Sequence, residues 1–116
     1  MGLKRAKITV GGGLKGAFTA GVDATLCREL GCDFFDNVYA YSVGVYSSTF
    51  ATANQPDVIE ETWKNLVHGT QLVDLKNFRL GKPILNLEYL EEIFQDERSA
   101  LDLDTVFSSK TKLTYV

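Results

Sequence analysis

The sequence predicts an α/β fold of three layers, α/β/α, around a mainly parallel sheet. Two short β-rich runs, "AKITV" at 6–10 and "NVYAY" at 37–41, each pass within a few residues into a helical pattern. A third such run, "KLTYV", closes the sequence at 112–116. Strand–helix–strand order requires crossover connections, which make neighbouring strands parallel and place helices on the faces of the sheet. At 116 residues the chain is one domain at most, with room for an ordinary core.

The first run stops at Gly11. From Ala17 to Leu30 the pattern becomes helical, and Phe18, Val22, Leu26 and Leu30 recur at i+4 spacing, which predicts that these four form the buried face. Gly31 is a natural C-terminal stop. The second run leads directly into Ser42. After it, "VGVYSSTFATA" at 43–53 continues as a helix of small residues able to pack closely on a sheet, with Pro56 as its end. Asp57 followed by Glu60 reads as a capping box for the next helix. Its buried face is Ile59, Trp63 and Leu66, and Gly69 closes it. Residues 70–85 read as loop, and Asn86 as the cap of a helix with Leu87, Leu90 and Phe94 on one side.

A hydrophobic content of 45% with 23% charged residues is that of a globular chain, not a disordered one. Twelve basic against 15 acidic residues give a net charge of −3, and only "LKRAK" at 3–7 clusters basic residues, which argues against a nucleic-acid partner. No stretch approaches the length of a membrane span. The N-terminus lacks the apolar core of a signal peptide, and "MGLKRA" has Ala6 where a myristoylation site wants Ser or Thr. Cys27 and Cys32 are not at C-x-x-C spacing, and a single His leaves no plausible zinc set, so no metal is expected. Cys27 reads as a small buried helix residue and Cys32 as a residue of the following turn; a reducing cytoplasm, the expected location, fits both.

"GGGLKG" at 11–16 follows a strand and opens a helix. Gly11, Gly13 and Gly16 satisfy G-x-G-x-x-G, but a dinucleotide site also needs an acid at the end of the second strand. Asp36 has the right count and precedes that strand. No Gly-Lys-Ser/Thr triplet follows, so the loop is not a P-loop. Its general property is to bring backbone N–H groups and a helix N-terminus close to an anion, which suits an oxyanion as well as a phosphate. Lys15 adds positive potential.

Around Ser42 the sequence reads Ala40-Tyr41-Ser42-Val43-Gly44. This is the nucleophile-elbow pattern G-x-S-x-G with Ala at the first glycine position; small residues are needed because strand and helix backbones pass close together. An anion loop after one strand and an elbow after the next would both lie at the C-terminal edge of a parallel sheet, where ligands sit in such folds.

With these motifs the chain resembles the N-terminal part of a patatin-like phospholipase domain, a lipid acyl hydrolase. That family opens with a strand, G-G-G-x-Lys/Arg-G, a helix, a strand, G-x-S-x-G and a further helix. "ITVGGGLKGAFTAGV" and "FDNVYAYSVGVYSSTFATANQP" resemble those segments closely, and the later stretch "LGKPILNLEYLEEIF" resembles bacterial members of the family. The resemblance implies that Gly11, Gly12, Gly13, Leu14, Lys15 and Gly16 shape the oxyanion hole, that Ala40 and Gly44 flank the elbow, and that Ser42 is the nucleophile. It implies a phospholipid or other lipid ester as substrate, peripheral membrane contact, and no cofactor. The family uses a Ser–Asp dyad without histidine, its Asp lying in a downstream D-G-Gly/Ala motif. No Asp of this sequence is followed by Gly. The dyad Asp is therefore expected outside these residues, and the chain to be a domain truncated after about its third strand. The alternative reading is a non-catalytic module whose glycine loop holds an anion such as a phospholipid headgroup.

Base catalysis contributes about 10²–10⁴-fold. The purified chain is therefore expected to show no Ser42-dependent ester hydrolysis. Robust hydrolysis lost on Ser42→Ala would show instead that an acid already present, such as Asp74 or Asp102, completes the site.

Overall fold

The structure is a computed structural model describing residues 4–12, 15–67, 73–84, 86–96 and 100–116. It begins with β1 (Ala6–Thr9), α1 (Gly16–Leu30), β2 (Asn37–Ala40) and α2 (Gly44–Thr52). α3 (Pro56–Glu61) runs on into a π-helical turn at Thr62–Leu66. Short helices α4 (Lys76–Arg79), α5 (Leu87–Gln95) and α6 (Leu103–Ser108) precede β3 (Lys112–Tyr115). The protein is a mixed α/β chain with a sheet ordered β1-β2-β3, and both pairs are parallel. The register sets Thr9, Ala40 and Tyr115 side by side at the C-terminal ends. The loop after β1 and the turn after β2 thus leave from the same edge.

Strand alternation decides which residues meet the helices. Lys7 reaches Asp23 of α1, and Thr9 lies against Gly44 of α2, so this face is the covered one. Val38 and Ala40, their register partners, are buried there. On the other face Ile8 is 75% exposed and Tyr39 is also open. The described residues therefore cover one face, and the third layer of the sequence expectation is not built by them.

The buried face of α1 differs from the expected one. Gly16, Ala20, Asp23, Ala24 and Cys27 point inward, whereas Phe18 is 78% exposed, Val22 and Leu30 are exposed and Leu26 is half-buried. The reason is the closeness of α1 to its neighbours. Ala20 and Cys27 pack with Phe50 and Ala51 of α2 and Ile59 of α3. A Cβ at Gly16 would come within 2.8 Å of both Trp63 and Val43. Helices this near one another select small residues at the contact, whatever apolar stripe lies elsewhere on the surface. Ile59 and Leu66 are buried and Trp63 half-buried, as the spacing predicts.

Pro56 opens α3 in its first turn and does not end α2. α2 stops at Thr52, and Asn54, with φ of +60°, turns the chain. The N-cap of α3 is Gln55, without a side-chain cap bond, so the capping box at Asp57 and Glu60 is not formed. Both acids instead hold Arg28 of α1, Asp57 at 2.5 Å and Glu60 closer still. The Arg28 hydrogen bond is the first cause of the lowered Glu60 pKa.

Asn86 does cap α5, accepting from the Tyr89 N–H at 3.0 Å. The side chains of Leu87, Leu90 and Phe94, along with His68 and Gly69, lie outside the described residues. Unexpected from the sequence is α6, where Asp102 accepts from the Thr105 N–H at 3.2 Å and from its hydroxyl at 2.6 Å. Those bonds, the hydroxyl's first, lower the Asp102 pKa. The cap therefore holds above the carboxyl's unfolded pKa and is lost as pH falls through the lowered folded value. Cys27 and Cys32 form a disulfide, a pairing that the sequence reading did not anticipate. Gly31, at φ +97°, reverses the chain after α1 and leaves the two Cα atoms 4.1 Å apart.

The assignment of α1's buried face is open to a direct comparison by urea unfolding. Ala24→Leu should destabilise the fold by about 1–3 kcal/mol through overpacking, and Phe18→Ser should change it by no more than about 0.5 kcal/mol. The opposite ranking would return Phe18 to the core.

Candidate active site

Ser42 has φ of +54°, in the left-handed region that residues with a side chain seldom occupy. Such a conformation costs about 1–3 kcal/mol and persists only where the surroundings enforce it. Here three backbone bonds hold it. The Tyr41 N–H donates to the Thr9 carbonyl at 3.0 Å, extending the sheet one residue past β2. Next, the Gly44 N–H donates to the Tyr41 carbonyl at 3.1 Å, and the Val45 N–H to the Ser42 carbonyl at 3.0 Å. The chain passes from strand through a strained serine into helix, and the serine is left exposed at the turn.

The two flanking small residues have different tasks. A Cβ at Gly44 would lie 2.8 Å from the Thr9 Cγ2 and 3.0 Å from the Thr9 carbonyl oxygen. No side chain fits there, so α2 can begin this close to β1 only with glycine. Ala40 is fully buried in the covered face and keeps its register with both Thr9 and Tyr115. Its methyl group is accommodated in the sheet, and the turn forms despite it.

The glycine loop meets the serine at Gly11. A Cβ there would collide with the Ser42 Cβ, lie 2.8 Å from its Oγ and 3.2 Å from the Tyr41 carbonyl. The two motifs are thus in direct contact. The Gly12 carbonyl accepts from the Lys15 N–H at 3.1 Å, closing a tight turn; this occupies the Lys15 donor and leaves its side chain exposed. Gly16 serves helix packing, as described above. Gly13 and Leu14 lie outside the described residues. The N–H groups of Gly11, Gly12 and Val43 make no hydrogen bond among the described residues. Val43 was not singled out by the motif reading, although the residue after an elbow serine is the usual second donor to an oxyanion.

No carboxylate bonds the Ser42 hydroxyl among the described residues. Asp74 accepts from the Lys76 N–H at 3.0 Å, and Asp102 caps α6, so both named stand-ins serve local turns. Tyr46, in the first turn of α2, has its pKa raised by burial and then by Glu91. Asp36 accepts from the Arg5 N–H at 2.7 Å, ahead of β2 and at the edge away from the loop. That location removes it as a ribose ligand. Among the described residues no three His, Cys, Asp or Glu side chains gather as metal ligands, and no helix is long and apolar enough to cross a membrane. Comparison with protein-family models, with curated proteins and with solved structures yields no match.

Two glycine substitutions probe the contact. Gly11→Ala and Gly44→Ala should each destabilise the protein by about 1–3 kcal/mol, because a Cβ must push backbone apart. Ala40→Gly should cost only about 0.5–1 kcal/mol, the ordinary effect of glycine within a strand. A Gly11→Ala chain as stable as the parent in urea would show that loop and serine do not touch.

Proposed function

We propose that the chain carries the nucleophile half of a patatin-like serine acyl hydrolase acting on phospholipid or another lipid ester. One observation supports this above the others: Gly11 abuts Ser42, whose positive φ holds it at a strand-to-helix turn. In this reading the Ser42 Oγ attacks the ester carbonyl carbon while its proton passes to a carboxylate. The carbonyl oxygen becomes an oxyanion, which the N–H groups of Gly12 and Val43 receive, each such donor contributing roughly 3 kcal/mol. Collapse expels the alcohol, and water then releases the acyl group from Ser42. No carboxylate bonds the Ser42 hydroxyl among the described residues, and the reading takes the base from a D-G-Gly/Ala segment outside them. The full three-layer patatin-like domain, with contact to a membrane surface, belongs to the same proposal.

A non-catalytic anion-binding module is the second reading, favoured by a Ser42 hydroxyl that has no partner among the described residues. The two separate by covalent chemistry. A fluorophosphonate should phosphonylate Ser42 of the folded chain, releasing fluoride, slowly at neutral pH and faster with imidazole added as an external base. Ser42→Ala should abolish the adduct. Labelling that is equal in folded and urea-unfolded chain, or absent even with imidazole, would contradict the hydrolase reading.

A further inference from the structure

A buried ion pair links the strand and helices from which the two motifs spring. Lys7 sits in β1, two residues before Thr9, and its Nζ is 2.6 Å from the Asp23 Oδ1 in α1. The other oxygen of Asp23 accepts from the Ser47 hydroxyl in α2 at 2.7 Å, with Ser48 more distant at 3.5 Å. The side chains of Lys7 and Asp23 are only 14% and 2% exposed. β1 and α1 are the two arms of the glycine loop, and α2 is the arm leaving the serine turn. One carboxylate therefore ties all three segments that determine where Gly11 meets Ser42.

Buried ion pairs are poor stabilisers, since apolar replacements of similar volume often do as well or better. What they provide beyond apolar contact is a fixed direction and distance. Helices joined through small residues, as α1 and α2 are, could otherwise slide against each other. Ser47 illustrates the selectivity of the bond: its intrahelical alternative, the Gly44 carbonyl, is 3.4 Å away, and the hydroxyl is much closer to Asp23. We infer that Lys7, Asp23 and Ser47 form a positioning network that sets the Ser42 turn against the glycine loop. It touches neither the Ser42 hydroxyl nor a bound group, so its role is indirect. The inference rests on the reading of loop and turn as one reaction site.

Hydrogen exchange tests it on the 116-residue chain without requiring turnover. Lys7→Met combined with Asp23→Leu conserves volume and removes the charges. The melting midpoint should stay within about 4 °C of the parent. The Gly44 and Val45 amides, which close the serine turn, should exchange about tenfold faster while the Val38 amide in β2 keeps its protection. Ser47→Ala leaves the ion pair intact and should speed the same two amides about threefold; it carries the test if the double variant fails to fold. Unchanged exchange at Gly44 and Val45 in the folded variants would overturn the inference, as would a uniform rise across the sheet. A Ser42 that never reacts with fluorophosphonate while these amides respond would support the positioning role and remove only the hydrolase reading.

Discussion

A backbone contact too close for any side chain organises this protein: the Gly11 Cα against Ser42, with Gly44 against Thr9 beside it. For both contacts to form, β1 and β2 must end at the same level and α2 must start almost on top of β1. Parallel pairing with Thr9 opposite Ala40 supplies the first condition. The bond from Tyr41 to Thr9 supplies part of the second by carrying the pairing one residue beyond the strand. The positive φ of Ser42 follows, because the chain has to reverse direction within one residue. Small residues at the α1–α2 contact then keep the two helices near enough for their loops to meet. Leu at Ala24 or Ala at Gly11 would disturb the same geometry from opposite ends.

The chemistry available at this contact is specific but partial. An exposed hydroxyl stands beside N–H groups that bond nothing else among the described residues, and the loop's own turn has already consumed the Lys15 donor. The proposed hydrolase reading uses these N–H groups as donors to an oxyanion, available before charge develops. Such donors do not raise the nucleophilicity of the hydroxyl, which needs a base. The Asp23 carboxylate is engaged by Lys7 and Ser47, and Asp74 and Asp102 by local turns. These three acids thus have their bonds elsewhere than at Ser42.

Local features of this design were readable in the sequence, and features set by neighbours were not. The three strands, the Asn86 cap and the serine turn each depend on a few adjacent residues, so alternation and turn chemistry identify them. The contact of loop and turn also followed, because parallel strand order sends both to one edge. The inward face of α1 did not follow. Phe18, Val22, Leu26 and Leu30 show only that the helix has an apolar stripe; which side is buried depends on how closely α2 and α3 approach. Pro56 is equally consistent with ending one helix or opening the next, and the chain uses it to open. Asp57 and Glu60 look like caps until Arg28, some thirty residues away in sequence, claims both. The disulfide depends on the φ of Gly31, which spacing alone does not report. α6 is a six-residue helix whose only advance sign was Asp102 three residues before Thr105.

The contact at the centre of this account can be observed directly in solution. In a nuclear Overhauser spectrum of the folded chain, an α-hydrogen of Gly11 should give a strong cross-peak to the β-hydrogens of Ser42, residues 31 apart in the sequence. The absence of that cross-peak in a chain whose β1–β2 pairing cross-peaks are intact would contradict the account, since loop and serine would then be separate features of one sheet edge.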